Sequence, residues 1–414
     1  IMDNEYVENA RWSAITAVKQ APDAKFLLFT GDFVETGTEQ NSEWEWEQWF
    51  EVSMKPLLSR MALAPTDGNH DDTPNLNYTY HFNTDKTFNE TATVKPQFDG
   101  ITYSFVYGDA LFMVYSHQDF WRGSYSYANG TSTYLSNDVA NWFRDQVEKY
   151  PDTKWRIAAV HKNLFTGSGH QTDEDGALFR ATLLPVFQEL NIDFVIQGHD
   201  HIYEVMGPIN NTTKTIVPGS VTNVELVSPD SNKNPKGQQG GTFNVKDGTL
   251  YFVNGTCGRK RYYPYTQDEM EAGFDKHKVE GYWDLFTGKY GQPGAPAFSE
   301  ISVSSSEIEV NTYTSDANAQ ATLFDTFKIV KSGNTGIEEN KQSAKLYPTY
   351  AKDKINTTES DIIQVNAIDL TGKIYTLPFD NQHIDVSNLT DGIYVVQIFT
   401  NEKTRSERIV KTSR

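Results

Sequence analysis

The chain has 414 residues with 24 Phe, 22 Tyr and 8 Trp, a length and aromatic content typical of a folded protein with more than one domain. Its net charge of -19 disfavours nucleic acid as a partner, and it disfavours phosphorylated ligands unless bound cations supply a local positive field. The single cysteine excludes an intrachain disulfide, and no run approaches the roughly 20 apolar residues of a transmembrane helix.

Predicted helices and short apolar strands alternate through the first half of the chain, and strands dominate after that. In chain order, the predicted elements are helix 7–20, strand 26–29, helix 43–60, strand 61–64, a hairpin of 103–107 and 110–115, helix 136–149, strand 155–160, helix 177–190, and strands 192–196, 250–253, 298–303, 308–314 and 323–330. This order predicts an α/β fold in which a layered β-sandwich carries flanking helices.

Four of the predicted strands lead directly into polar motifs. These motifs are Gly31-Asp32, Gly68-Asn69-His70-Asp71, His161 and Gly198-His199-Asp200-His201. Because ligands of open α/β sheets bind beyond the carboxyl ends of strands, we expect the four motifs to meet in space. Alone, each motif is typical of a turn or a surface loop. Together, a carboxylate, an amide oxygen and several imidazoles predict a site for Zn, Mn or Fe rather than Ca.

Asp32 is the predicted centre of this site because its two carboxylate oxygens can bridge two ions about 3.5–4 Å apart. Such a pair polarises a phosphoryl oxygen and lowers the pKa of a bound water. The neighbouring imidazole of His70 can then stabilise developing charge or protonate the leaving oxygen. The residues therefore predict metal-assisted hydrolysis of a phosphate ester.

In this order the motifs resemble those of the calcineurin-like metallophosphoesterases, within them most closely the purple-acid-phosphatase-like branch. The stretches 21–25, 169–173 and 325–330 support the resemblance, which covers residues 1–331. It implies a metallophosphoesterase domain with a layered β-sandwich fold. It also implies a metal-dependent phosphoric ester hydrolase with two divalent or trivalent transition-metal ions, Fe, Zn or Mn.

The resemblance assigns five metal ligands by position. Asp32 would bridge the two ions. The second ion would also be bound by Asn69, His161 and His199, and the first ion by His201.

The resemblance also implies three catalytic residues. His70 would be the catalytic histidine, oriented by Asp71. His170, nine residues after His161, falls where this branch has a substrate-facing histidine, with a loop histidine bonded to nearby backbone as the alternative.

Two departures from the family pattern affect the expected metal content. The first motif, an Asp after the first strand, is not present in residues 1–25, and we expect it just upstream of Ile1. One ion is therefore expected to lack a main ligand in this chain. The residue three after the bridging Asp, a Tyr in purple members, is Glu35, so a purple chromophore is not expected.

Several polar residues outside the motifs have open roles. His117 follows a predicted strand and is expected to support the core or the site rather than to bind metal. Arg122, Arg259 and Lys260 are candidates for contact with a substrate phosphate, with ordinary solvated side chains as the alternative.

A polar, turn-rich linker at 332–342 precedes a small all-β domain at 343–414. This domain resembles the Ig-like sorting domains of type IX secretion, although the segment 347–351 matches only in part. A carbohydrate-binding or other β-sandwich module is the alternative. The stretches that carry the resemblance are 369–373, 384–389, 391–396 and 408–411.

The sequence thus predicts a secreted or outer-membrane surface phosphoesterase of a Gram-negative bacterium, most similar to acid phosphatases that cleave phosphomonoesters. Its predicted partners are a small phosphate ester and the type IX secretion machinery, without nucleic acid. One alternative is a phosphodiesterase or nucleotide hydrolase with the same site, which a groove for a second ester group would favour. The other is an inactive phosphoesterase scaffold that acts as a surface binding protein.

Overall fold

The computed structural model divides the chain into two compact units, Ile1–Gly333 and Asn334–Arg414. We describe each unit by itself. The residues described are 4–37, 39, 41–71, 77–84, 100–117, 139–171, 173–224, 239–266, 268–269, 272, 285–331, 346–347, 350–357, 361–380, 383–400 and 404–413.

The N-terminal unit contains helices between and around its strands. The helices are α1 (Asn4–Gln20), α2 (Glu43–Gln48), α3 (Lys55–Leu58), α4 (Asn77–His81), α5 (Ala140–Lys149) and α6 (Glu174–Glu189). The strands are β1 (Phe26–Phe29), β2 (Ala62–Pro65), β3 (Tyr103–Tyr107), β4 (Ala110–Val114), β5 (Trp155–Val160), β6 (Phe194–Gln197), β7 (Tyr203–Asn210), β8 (Thr215–Ile216), β9 (Val221–Thr222), β10 (Gln239–Asn244), β11 (Thr249–Asn254), β12 (Phe286–Gly291), β13 (Ala297–Val303), β14 (Glu307–Ser315) and β15 (Ala321–Val330).

Two large sheets pack face to face in this unit. One has the order β12-β7-β11-β6-β5-β4-β3, with β8 beside β7, and the other has the order β13-β14-β15-β10-β9. Side chains such as Ile157 and Phe252 of the first sheet and Phe327 of the second bury one shared apolar core. Helices α5 and α6 cover the opposite face of the first sheet through residues such as Phe143 and Phe187. The predicted α/β fold, a layered sandwich with outer helices, is confirmed.

Parallel pairing brings the predicted site loops to one edge. Strands β4, β5, β6 and β11 run parallel, so the loops after β5 and β6 leave the sheet side by side. Strands β1 and β2 pair in parallel as a separate two-stranded sheet, and they deliver the Asp32 and Asn69 loops together. This arrangement places all four polar motifs near one another.

The helix predicted at 43–60 is broken in the structure. Helix α2 passes into a π-helical turn, Trp49–Ser53, and α3 begins after Met54. Pro56 lies in the first turn of α3, where its missing N–H costs no hydrogen bond but prevents continuation from the preceding helix. The π-turn lets Trp46 and Trp49 both point into the aromatic core around Phe33.

The C-terminal unit is all-β and has its own apolar core. Its strands are β16 (Leu346–Tyr347), β17 (Tyr350–Ala351), β18 (Lys354–Thr357), β19 (Ile362–Asp369), β20 (Ile374–Thr376), β21 (His383–Asp385), β22 (Gly392–Thr400) and β23 (Thr404–Lys411). They form a three-stranded sheet, β16-β18-β21, and a five-stranded sheet, β17-β23-β22-β19-β20. Ile355, Val365, Val396 and Ile409 lie between them fully buried.

Across both units, none of the described helices has the length and apolar character needed to cross a membrane.

Candidate metal centre

Glycines permit the close approach of the loops that form the site. A Cβ on Gly68 would lie 2.1 Å from the Asp32 nitrogen, and a Cβ on Gly198 would lie 2.5 Å from the Thr30 carbonyl oxygen. Asp32 and His199 themselves have positive φ angles of 55° and 65°, which L-residues adopt rarely and often at functional sites. The backbone is therefore arranged to bring these side chains together.

Four predicted ligands converge on one point, and we call Asp32, Asn69, His161 and His199 the Asp32 cluster. The His161 Nε2 atom lies 3.1 Å from Asn69 Oδ1, 3.2 Å from Asp32 Oδ2 and 3.2 Å from His199 Nδ1. Ligand atoms on a shared ion with bonds of about 2.1 Å lie about 3.0–3.4 Å apart in octahedral or tetrahedral geometry. The spacing and the mixed nitrogen and oxygen donors thus fit a transition-metal ion.

Hydrogen bonds to the far side of the ring fix the orientation of His161. Its Nδ1–H donates to the Thr30 carbonyl oxygen at 2.6 Å, which leaves Nε2 as the lone-pair atom facing the cluster. A backbone or carboxylate acceptor on the second nitrogen is the usual support of a metal-binding histidine. His161 is buried at the end of β5, so this orientation is rigid.

The charges within the cluster are strongly coupled. Burial would raise the pKa of the Asp32 carboxyl, but the adjacent imidazoles, His161 foremost, lower it below its ordinary value. Burial would lower the pKa of His161, but the charge and hydrogen bond of Asp32 raise it. Burial, followed by the nearby charge of His161, lowers the pKa of His199 and keeps that imidazole neutral, the form that binds metal.

Asp71 contacts the backbone of both ligand loops. Its carboxyl group accepts backbone N–H bonds from Gly68 at 2.7 Å, Asp32 at 2.9 Å and Val34 at 3.2 Å. The imidazole of His70 donates Nδ1–H to the Glu35 carbonyl oxygen at 2.8 Å. Asp71 therefore ties the two ligand loops together, and its orienting role toward His70 stays a prediction.

His201 lies apart from the four ligands of the Asp32 cluster. Its Nδ1–H donates to the Lys260 carbonyl oxygen at 2.9 Å, and its ring stacks on Tyr262 with centroids 4.5 Å apart. Burial, opposed by the charge of Asp32, lowers the pKa of His201 to about 4. The imidazole is thus neutral near pH 7, and its Nε2 carries the lone pair that can bind a metal ion. Among the described residues, His201 joins no group of three convergent ligands.

His170 lies beside the Asp32 cluster. Its ring centroid lies 3.8 Å from that of His199, and its Nδ1–H donates to Asp200 Oδ1 at 2.7 Å. Thr166 donates a hydrogen bond to the other oxygen of Asp200. The alternative was a loop histidine bonded to nearby backbone, whereas His170 Nδ1 contacts the buried carboxylate of Asp200. The other ring nitrogen, Nε2, is not used by this contact, and the side chain is partly exposed.

Asp173 is a site residue that sequence reasoning did not single out. Asp173 is the N-cap of α6. An Asp at this position ordinarily accepts a hydrogen bond from a backbone N–H of the first turn, but the side chain of Asp173 makes no such bond. Its Oδ2 lies 4.0 Å from His199 Nε2, and that nitrogen is buried without a hydrogen-bond partner among the described residues. His170, Asp173 and His199 form a second group with metal-ligand spacing. In the sequence, the only pointer to Asp173 was its position three residues after His170.

His117 is fully buried near the cluster, with its ring centroid 5.3 Å from that of His161. Both of its ring nitrogens lack a hydrogen-bond partner within the described part of the chain. Burial, followed by the charge of His161, lowers its pKa well below the ordinary value. A neutral supporting imidazole, rather than a charged one, thus lies behind the ligands.

Comparison with protein families assigns two segments of the chain. The family model described as calcineurin-like phosphoesterase matches residues 8–203, and the secretion system C-terminal sorting domain matches residues 345–412. An uncharacterized protein of Mycobacterium tuberculosis is 25% identical over 206 residues, which are 47% of this chain and 37% of that protein. Purple acid phosphatase 5 of Arabidopsis thaliana is 31% identical over 87 residues, 20% of this chain and 22% of that protein. The chain thus matches well under half the length of these relatives.

Comparison with solved structures gives matches of low score. A purple acid phosphatase from seeds of yellow lupin (Lupinus luteus) aligns over 79% of this chain and 49% of its own, with a TM-score of 0.48 and 14% identity. GAP50, the anchor in the inner membrane complex of Plasmodium, aligns over 82% of this chain and 88% of its own, with a TM-score of 0.46 and 13% identity. At these scores, neither structure assigns a residue role in this chain.

Proposed function

We propose that this chain, with a calcineurin-like phosphoesterase domain at residues 8–203 and a secretion sorting domain at residues 345–412, is an exported metal-dependent hydrolase of phosphate esters. The observation that carries the proposal is the convergence of three nitrogen and oxygen donors on a fourth, His161 Nε2, at 3.1–3.2 Å. A chain of net charge -19 needs such a cation site to attract a phosphate.

Two transition-metal ions, Fe, Zn or Mn, would supply a bound water of lowered pKa and a positive field for the phosphoryl oxygens. The residues of the Asp32 cluster would hold one ion, because their donor atoms already have ligand spacing. Asp32 would also contribute to the second ion, together with His201. The mixed imidazole, carboxylate and amide set suits these metals better than Ca or Mg.

The remaining residues would bind substrate and move protons. His70 donates Nδ1–H to the Glu35 carbonyl, so proton exchange with the leaving oxygen falls to Nε2. His170, fixed by Asp200 at 2.7 Å, would present its Nε2 to a phosphoryl oxygen. Asp71 would keep the Asp32 and His70 loops in register through its three backbone hydrogen bonds.

Metal depletion and readdition tests the proposal directly. The purified chain is dialysed against a chelator, reloaded separately with Zn, Mn or Fe, and assayed with 4-nitrophenyl phosphate and bis(4-nitrophenyl) phosphate. We expect hydrolysis only after reloading, with the monoester preferred. Full turnover after verified metal removal would overturn the mechanism. A preference for the diester would favour the phosphodiesterase alternative, and binding of metal without turnover of any ester would favour the inactive scaffold.

Export by a type IX system is the second part of the proposal, because residues 345–412 match a sorting domain. The C-terminal unit has its own buried core and, within its described residues, contributes none of the candidate ligands. Deleting residues 343–414 should therefore leave hydrolysis intact in the purified protein but abolish secretion in the native host. Unchanged secretion of the deleted form would contradict the sorting assignment.

A further inference from the structure

The loop after β11 carries three consecutive cationic residues beside the candidate metal centre. We call Arg259, Lys260, Arg261, Tyr262 and Tyr263 the basic loop. The chain as a whole has 55 acidic against 36 basic residues, so such a concentration of positive charge is unusual for it. The contacts of the basic loop show whether it borders the metal centre or is an ordinary solvated segment.

The basic loop is fixed to His201 on both sides. The Lys260 carbonyl oxygen accepts from His201 Nδ1, and the Tyr262 amide donates to the His201 carbonyl oxygen at 3.4 Å. The Tyr262 and His201 rings lie nearly parallel, with 4° between their planes. Gln292 Nε2 clamps the same segment by donating to the His201 and Tyr262 carbonyl oxygens, both at 2.7 Å. The cationic side chains therefore extend from a backbone that borders the metal centre.

Lys260 belongs to the part of the basic loop that contacts His201. Its carbonyl oxygen accepts from His201 Nδ1 at 2.9 Å. Its Nζ lies 5.5 Å from the centre of the Tyr262 ring, which itself stacks on the His201 ring. An anion bound on the His201 side of the metal centre would thus lie within the field of this ammonium group.

Arg261 has unused hydrogen-bonding capacity at the same rim. Its Nη1 donates to the Arg259 carbonyl oxygen at 2.8 Å, while its Nε is buried and has no partner among the residues described. Burial, followed by the like charge of Arg259, lowers the pKa of Arg261. A phosphoryl oxygen at this rim would give the buried Nε of Arg261 its acceptor.

We propose that the basic loop binds a second anionic group of the substrate while the metal centre binds the scissile phosphoryl group. The substrate class would then be small molecules with two or more phosphates, and phosphate is the anion that best matches the planar fork of Arg. This inference rests on the proposed hydrolase function and narrows it.

Matched alkyl phosphates test the inference. Butyl phosphate and the bisphosphates of ethanediol, butanediol and hexanediol differ only in the second phosphate and its distance from the first. We expect the metal-loaded protein to hydrolyse one of the bisphosphates with a kcat/KM about 10-fold above that of butyl phosphate, the scale of one or two charge-assisted hydrogen bonds. Arg261→Gln and Lys260→Gln should each reduce this preference ratio several-fold. Arg261→Lys, which keeps the charge but loses the planar fork, should retain only part of it.

Arg144→Gln is the matched control, because Arg144 pairs with Glu189 between two outer helices and its loss removes the same charge. Its preference ratio should equal that of the unaltered protein. Equal kcat/KM for butyl phosphate and all bisphosphates, or an equal loss of preference in Arg144→Gln, would overturn the inference while leaving the hydrolase proposal intact.

Calorimetric titration of the metal-loaded protein separates the two proposals if no ester is hydrolysed. In that case the hydrolase proposal fails, and the basic loop is judged by binding alone. Tighter binding of butanediol bisphosphate than of butyl phosphate, weakened in Arg261→Gln, would support the loop as a phosphate site. Equal affinities would exclude it. Stronger binding of a matched dicarboxylate would refute the preference for phosphate.

Discussion

The two sides of the candidate metal centre are built differently. The Asp32 cluster takes its donors from four loops at strand ends, and it holds them 3.1–3.2 Å apart around a buried His161 nitrogen. The other side has one candidate ligand, His201, held by the Lys260 carbonyl, the Tyr262 ring and Gln292. The first side thus gathers several donors for one ion, whereas the second presents a single imidazole beside the basic loop.

The electrostatics follow the same division. In the Asp32 cluster, burial would lower the pKa of His161, but the Asp32 carboxylate raises it above its ordinary value. On the other side, burial lowers the pKa of His201 to about 4 and keeps its ring neutral. The comparison teaches that the carboxylate outweighs burial at the imidazole it contacts, whereas burial prevails at His199 and His201. Four predictions test this division.

The largest effect is expected from His161→Ala. This substitution removes the atom on which the other three donors converge, so the cluster should lose its ion and hydrolysis should fall to the background rate. His201→Ala should leave the ion of the Asp32 cluster in place. Metal analysis of both variants, with His383→Ala in the C-terminal unit as control, checks this. Equal metal loss in the two site variants would show that the sides are not separate.

His70→Ala should separate proton transfer from metal binding on either side. We expect kcat to fall by about 10²–10⁴-fold, the usual contribution of a positioned acid–base group. Metal content should stay unchanged, because His70 bonds to a carbonyl oxygen rather than joining the cluster. Phosphate release and metal analysis on the same preparation provide the measurement. Loss of metal in this variant would make His70 a ligand.

The neutral state of His201 predicts a loss of stability in acid for the chelator-treated protein. Its folded pKa of about 4 lies below the ordinary 6.5, so its contribution is complete above pH 6.5 and disappears as the pH falls toward 4. The loss attributable to this group is about 2–3 kcal/mol.

Urea unfolding at pH 7 and pH 4 measures that loss, because all eight Trp lie in the N-terminal unit and report on its unfolding. The stability difference between the unaltered protein and His201→Gln should narrow by this amount at the lower pH. A difference independent of pH would show that the imidazole of His201 is not held neutral by the fold.

The smallest effect is expected from Asp173→Asn, which tests the outer support of the Asp32 cluster. Asn is as good an N-cap as Asp, so α6 should keep its stability while His199 loses the nearby carboxylate. We expect metal affinity to fall by about 10–100-fold, as for other residues that support metal-binding histidines. The exposed Asp152→Asn is the charge-matched control. Unchanged affinity would make Asp173 a solvent-facing residue only.

Much of the fold was predictable because the elements are strongly patterned. The strands before Asp32, Asn69, His161 and His199 are short apolar runs that end at glycine or polar residues, and all four appear in the structure. The break of the helix at 43–60 was not predicted. Helical spacing of Trp46 and Trp49 is compatible with a continuous helix, so the spacing of apolar residues does not reveal the π-turn at Trp49–Ser53.

By itself, the sequence indicated that the loops carrying Asp32, Asn69, His161 and His199 meet, because strand ends in an α/β sheet share one edge. The tertiary structure decided what each of them touches. It placed Asp71 on three backbone amides, His70 on the Glu35 carbonyl and His201 on the Lys260 carbonyl, and it turned Asp173 from its cap toward His199. These contacts join residues far apart in the chain and often use main-chain oxygens. Every residue carries a main-chain oxygen, so residue type does not encode them, and only the close approach of the loops does.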